Sequence, residues 1–185
     1  LFKNFSTGYE GNLIISDLNF EVKSGEWIGI IGSNGSGKST LLKGISKIIP
    51  MQNGDILLNK SSIRFLSTKD ISKIVSYLPQ KINSNLPITV KELVSFGRSP
   101  HKHFWEFDLN KKDFSIIDEA LELCNLKKYS NNALSSLSGG QCQRAYLALT
   151  IAQKTKIVLL DEPTTFLDIN FQLQMLDLIK TLNKK

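Results

Sequence analysis

Gly32-Ser33-Asn34-Gly35-Ser36-Gly37-Lys38-Ser39-Thr40 fits the pattern G-x-x-x-x-G-K-[ST]. Glycines in such a loop let the backbone close around an anion, and its N–H groups wrap nucleotide phosphates. Lys38 can neutralise β- and γ-oxygens, and Ser39 offers a hydroxyl to Mg2+. The competing reading is an ordinary Gly-rich turn with a solvated lysine. The flanks argue against it. Trp27-Ile28-Gly29-Ile30-Ile31 reads as a buried strand, and Leu41, Leu42, Ile45 and Ile48 recur at helical spacing behind the loop. Strand, glycine loop and helix form the context that the motif needs.

A second segment, Leu137-Ser138-Gly139-Gly140-Gln141, is a Ser-Gly-Gly turn opening a helix that runs through Arg144, Ala145, Leu149 and Ile151. Ser138 is suited to cap it, and a helix N-terminus is another anion site. Two phosphate-facing elements in one chain point to a nucleotide held between two surfaces.

Asp161 and Glu162 end the apolar run Ile157-Val158-Leu159-Leu160, which reads as a buried parallel strand. Sites in α/β proteins gather at the C-terminal edge of the sheet. There Asp161 suits Mg2+, and Glu162 suits orienting and deprotonating an attacking water. The plain alternative is an acidic pair capping a helix before Pro163. Gln80 closes Tyr77-Leu78-Pro79-Gln80, and its amide both donates and accepts, which fits a sensor of γ-phosphate or Mg2+. Tyr9 is a candidate platform for adenine stacking, beside the alternative of turn packing next to Gly8. His101 and His103 have no carboxylate or cysteine set nearby, so no metal site is read there.

Further out, Leu18-Asn19-Phe20-Glu21-Val22 alternates as a half-exposed strand, and Gly54–Leu58 and Ile74–Leu78 look like two more. From Pro87 the texture turns helical. Val90, Leu93, Val94 and Phe96 form one helix, and Ile116, Ile117, Ala120, Leu121 and Leu123 another, with an irregular stretch from Gly97 to Trp105 between them. Ile169, Leu173, Leu176, Ile179 and Leu182 mark a last amphipathic helix. The helical part reads as an insertion within one α/β domain.

The 185 residues suit one domain, or a core with one insertion, and 41% hydrophobic content can bury a real core. No apolar run approaches the about 20 residues needed to cross a bilayer. The first residues, Leu1-Phe2-Lys3-Asn4-Phe5, show no export signal and no initiator Met, as in a fragment. Cys124 and Cys142 lack metal-ligand spacing and read as reduced, ordinary small hydrophobes. The net charge of +6 comes mostly from isolated lysines without a dense basic block, so it argues at most for anionic partners such as nucleotide or lipid.

Together these motifs resemble the ATP-binding cassette (ABC) ATPases over almost the whole chain. Walker A is Gly32 to Thr40, the Q-loop residue is Gln80, the signature is Leu137 to Gln141, Walker B is Ile157 to Glu162, and Phe166-Leu167-Asp168 matches the D-loop. The resemblance implies an α/β P-loop NTPase core with a mainly parallel sheet and an N-terminal antiparallel β subdomain. Residues 1–86 and 137–185 would form the core and 87–136 the helical insertion. It implies ATP and Mg2+ as ligands, with ATP sandwiched in a homodimer in which Ser138, Gly139, Gly140 and Gln141 of one copy complete the other's site. Glu162, Lys38 and Gln80 would be catalytic, and Ser39, Gln80 and Asp161 would face the metal. Tyr9 and Asp168 would join residues 32–40 around the nucleotide.

Leu86-Pro87-Ile88-Thr89-Val90, Val94–His101 and Thr164-Thr165-Phe166-Leu167-Asp168-Ile169 are similar to importers of iron(III)-siderophore, haem and cobalamin. That likeness implies membrane permease subunits as partners, a substrate-binding protein indirectly, no nucleic acid, and a peripheral place on the cytoplasmic face of the membrane. The family's switch histidine follows the Ile169–Leu182 helix, and the sequence stops at Lys185 before reaching it. The expectation is therefore weak or absent hydrolysis by these residues alone. Two rivals stand beside this reading: a soluble ABC ATPase acting on nucleic acid or ribosomes, and a non-hydrolysing nucleotide-binding module.

Overall fold

The computed structural model describes residues 1–58, 60–103, 108–164 and 168–183. β1 (Phe2–Tyr9) and β2 (Asn12–Phe20) form an antiparallel hairpin with Tyr9 opposite Asn12. Its two-residue turn, Glu10-Gly11, has φ of 46° and 83°, the doubly positive geometry that matches the twist of the flanking strands. Phe2 faces Phe20 across the pair with stacked rings, centroids 4.2 Å apart. Helix α1 (Lys38–Ile45) follows, then β3 (Met51–Leu58) and the short β4 (Ser61–Ser62). These strands make one antiparallel sheet in the order β2-β1-β3-β4. Phe2, Phe5, Ile56 and Ile63 of the sheet region bury against Leu41, Leu42 and Ile45 of α1, together with Ile71 and Val75.

α2 (Thr68–Ser72) leads into β5 (Val75–Leu78), which pairs in parallel with β6 (Ile157–Leu160), Val75 opposite Ile157 and Leu78 opposite Leu160. Between them in sequence lie α3 (Val90–Ser95), α4 (Lys111–Leu123) and α5 (Gly139–Ala152). Each opens on a reciprocal capping box, Thr89 with Glu92, Asn110 with Asp113, and Ser138 with Gln141. Val90, Leu93 and Val94 pack with Ile117, Ala120, Leu121, Ala145 and Ala148 in a second apolar core that also takes in Leu78. The two ends of the helical segment are tied by backbone bonds from Val90 N–H to the Asn132 carbonyl (3.0 Å) and from Leu134 N–H to the Ile88 carbonyl (2.9 Å). α6 (Ile169–Asn183) adds Met175 to this core, and the Arg144 guanidinium lies 4.9 Å from the Phe171 ring centre.

Four local readings change. Trp27–Ile31 forms no ladder, and it is exposed rather than buried, with Trp27 at 51% and Ile31 at 98%. Its backbone finds no neighbouring strand among the described residues, and an apolar run becomes a buried strand only where one lies alongside. β6 is parallel as expected, but among the described residues it is paired on one edge only and half-buried, with Val158 45% exposed. β2 ends at Phe20, before Glu21 and Val22, and Phe96–His101 is a 3-10 helix rather than irregular chain. Phe104, Trp105, Thr165, Phe166 and Leu167 lie outside the described residues.

The 3-10 turn is held by a buried ion cluster. Asp113 Oδ1 accepts from Arg98 Nε at 2.9 Å, and Asp113 Oδ2 pairs with Lys102 Nζ at 2.6 Å. Arg98 Nη1 also donates to the Ala152 carbonyl at the end of α5, 2.8 Å away.

Candidate functional site

The phosphate loop enters α1 through Gly37, the N-cap, whose φ is 94°. A Cβ there would approach Ile14 Cγ2 and Ile15 Cδ1 to 2.9 Å, so both conformation and space demand glycine. α1 starts at Lys38 with no side-chain cap, which leaves its first N–H groups and the positive end of its dipole facing the loop. Lys38 Nζ donates to the carbonyls of Gly32 and Ser33, each at 3.0 Å, so its ammonium folds back over the loop. Gly32 to Ser36 are exposed, Lys38 and Ser39 are half-buried, and Thr40 is turned inward and buried.

The sheet then delivers the carboxylates. Asp161 follows β6 directly, and its N–H bonds the Leu78 carbonyl at 3.0 Å, extending the pairing with β5 by one residue. Asp161 is 3% exposed, and its Oδ1 accepts from Ser39 Oγ at 2.9 Å. Its Oδ2 accepts from Tyr77 Oη, also at 2.9 Å. Burial first, then the hydrogen bond and charge of Asp161, push the Tyr77 hydroxyl above the ordinary phenol range, so it remains a donor; Tyr9 adds a smaller push. Tyr77 is the residue that the sequence reading passed over. The available signal was a polar tip on an apolar strand, three positions before Gln80.

Glu162 stands at φ 48°, a left-handed conformation rare for a residue with a side chain. Such positions cost about 1–3 kcal/mol and gather at functional sites. The turn aims Glu162 at Gln80, whose Nε2 donates to Glu162 Oε2 at 2.6 Å. Ser39 with Asp161 and Gln80 with Glu162 are thus joined at the C-terminal ends of β5 and β6, while Lys38 bonds its own loop.

The remaining candidates sit apart from this cluster. Ser138 and Gln141 bond each other, Ser138 Oγ accepting from Gln141 N–H at 3.3 Å and Gln141 Oε1 accepting from Ser138 N–H at 2.9 Å. Ser138 and Gly139 are exposed, and a Cβ on Gly139 would meet nothing within 4 Å, so this helix start presents an open surface. α5 nonetheless bonds the backbone shortly beyond Glu162 and Gln80. Gln143 Nε2 donates to the Pro163 carbonyl at 3.4 Å, and Tyr146 Oη to the Asn83 carbonyl at 2.8 Å. Tyr9 ends β1 and is 43% exposed. Asp168 accepts from Phe171 N–H at 3.1 Å, as a cap on α6.

Oxygen donors 2.9 Å apart, one a buried carboxylate, suit a hard cation such as Mg2+, which takes one or two protein ligands and completes its shell with phosphates and water. Among the described residues no cation pairs with Asp161, and no group of three or more His, Cys, Asp or Glu could hold a metal without a nucleotide.

Residues 15–165 match the ABC transporter family. The chain is 47% identical to the petrobactin import ATP-binding protein FpuC of Bacillus anthracis, over 92% of this chain and 62% of that protein. It therefore spans less than two thirds of that relative's length. Its fold matches an ABC transporter described as of metal-chelate type in an inward-facing conformation, with TM-score 0.81 and 30% identity, over 100% of this chain and 67% of that one. It also matches the dimeric ATP-binding cassette MJ0796 bound to ADP and Pi, with TM-score 0.83 and 26% identity, over 98% of this chain and 82% of that one. With both anion-facing motifs on an α/β frame, and the family match running from β2 past Glu162, the chain belongs to the ABC transporter family.

Proposed function

We propose that the chain is the ATP-binding and ATP-hydrolysing part of an ABC importer subunit that powers uptake of an iron(III)-siderophore. The observation that carries the ATPase reading is the bond between Ser39 Oγ and Asp161 Oδ1, which brings the phosphate loop to the carboxylate edge of the sheet. Residues 32–40 would bind the triphosphate through backbone N–H groups, with the Lys38 ammonium turned from the loop carbonyls to the β- and γ-oxygens. Ser39, Asp161 and Gln80 would hold Mg2+, which when bound neutralises charge on those oxygens. Glu162 orients a water and accepts its proton as the water oxygen bonds the γ-phosphorus and the bond to the β–γ bridging oxygen breaks. Tyr9 and Asp168 complete the nucleotide surroundings.

The exposed start of α5 supports assembly as an ATP-sandwich dimer with a second copy, in which Ser138, Gly139, Gly140 and Gln141 cap the partner's γ-phosphate. Binding of ATP closes the pair and hydrolysis releases it, a two-state switch. The helical segment 87–136, joined to the site at Gln80, would pass that motion to permease subunits at the cytoplasmic face of the membrane, with a substrate-binding protein further along. FpuC is named for petrobactin import and the structural neighbour for metal chelates, which favours siderophore cargo over haem or cobalamin. Uptake of radiolabelled iron-siderophore by a strain deleted for the gene tests this. Restoration by the full-length protein and not by its Glu162→Gln variant is expected. Full uptake with the variant would overturn it.

A further inference from the structure

Asp161 is clamped at both oxygens, and only one clamp belongs to the phosphate loop. Oδ1 takes the Ser39 hydroxyl and Oδ2 the Tyr77 hydroxyl, each at 2.9 Å. The carboxylate torsion of Asp is broad and two-fold, so a bond to one oxygen alone leaves the plane loosely set. Ser39 can keep its proton on Asp161 while a lone pair of its oxygen faces a cation, so that clamp belongs to the metal's own surroundings. Tyr77 fastens the other oxygen from outside the phosphate loop. It lies on β5, opposite Leu159 of β6, and the Asp161 N–H is itself bonded to the carbonyl of Leu78, the next residue along. Backbone and side chain of Asp161 are therefore both fastened to the end of one strand, by a rigid ring carrying a single directed proton.

We propose that Tyr77 is a positioning residue, whose hydroxyl holds the Asp161 carboxylate in the plane that receives Mg2+ beside a bound nucleotide. The inference rests on the role given to Asp161 above. Outer partners of a ligating carboxylate are worth about 10–100-fold in metal affinity.

The test is calorimetric titration of Mg2+ into the full-length protein saturated with a non-hydrolysable ATP analogue, for wild type and Tyr77→Phe. Analogue affinity in EDTA serves as the control. Loss of one hydroxyl should weaken Mg2+ about tenfold while leaving metal-free affinity unchanged. Equal Mg2+ affinities would overturn the assignment, and so would a matching loss of metal-free affinity, which marks a general structural role. Should the wild type bind the analogue in EDTA without any tightening by Mg2+, the metal role of Asp161 falls, and this inference with it. Should the wild type fail to bind the analogue at all, the nucleotide reading falls first. If Tyr77→Phe does not fold, 3-fluorotyrosine placed at 77 in the otherwise wild-type chain supplies the readout. Its 19F resonance should move on adding Mg2+ to the analogue-bound protein, and an unmoved resonance overturns the proposal.

Discussion

Gln80 Nε2 donates to Glu162 Oε2 at 2.6 Å, tying the chain just past β5 to the carboxylate two residues past β6. The two lie 82 residues apart in sequence, and they meet because β5 and β6 run in parallel and end together. A hydrogen bond from an amide N–H to one carboxylate oxygen fixes the direction in which the Glu162 side chain points. Glu162→Gln in the full-length protein is expected to keep ATP binding and to cut turnover by about 10²–10⁴-fold. An ATP-bound dimer should then accumulate on size exclusion, and a persistently monomeric ATP complex would contradict the sandwich.

Lys38 makes its bonds to loop carbonyls that need no ammonium for folding, so its removal should be felt by ligand rather than by fold. Lys38→Ala is expected to weaken ATP by about 10–100-fold, the worth of one bond to a charged group. Its thermal midpoint without nucleotide should stay near that of wild type. Fluorescent-nucleotide titration and a melting curve check the two halves, and unchanged affinity would remove the phosphate-loop assignment.

Asp113 gives a pH-dependent stability. Burial alone would raise its carboxyl, but hydrogen bonds from Lys102 and Arg98, with the Asn110 backbone, outweigh that and hold it at about 2, below its ordinary 3.8. A lowered folded value means the contribution is complete above about pH 4 and lost as pH falls towards 2. Asp113→Asn leaves Arg98 and Lys102 buried without their carboxylate, at a cost of about 3–5 kcal/mol at pH 7. Urea denaturation across that range should show the gap to wild type closing between pH 4 and pH 2. A gap independent of pH would mean that packing, not charge, is what the substitution removes.

The two thiols should be silent in the native protein. Cys124 and Cys142 are each 1% exposed, and burial pushes the Cys124 thiol up to about 12 and raises Cys142 as well. Only thiolate reacts at a useful rate. A chromogenic disulfide reagent at pH 8 should therefore label neither until denaturant is added, and rapid labelling of the folded protein would refute the packing described for α4 and α5.

What the sequence determined by itself was whatever a few neighbouring residues decide together. Gly37 before Lys38, Ser138 three positions before Gln141, and the helical spacing of Val90, Leu93 and Val94 all express local backbone chemistry, and the structure places each in its expected element. What the tertiary structure alone decided involves partners far apart in the chain. Ser39 and Asp161 are separated by 122 residues, and Tyr77 and Asp161 by 84. Their meeting depends on which strand lies beside which, and no local pattern encodes that. The same reason explains Trp27–Ile31, whose composition suits burial, yet whose exposure is set by whether another strand lies alongside. It also explains Arg98, Lys102 and Asp113, which become a buried cluster only once the 3-10 turn folds onto α4 and the end of α5.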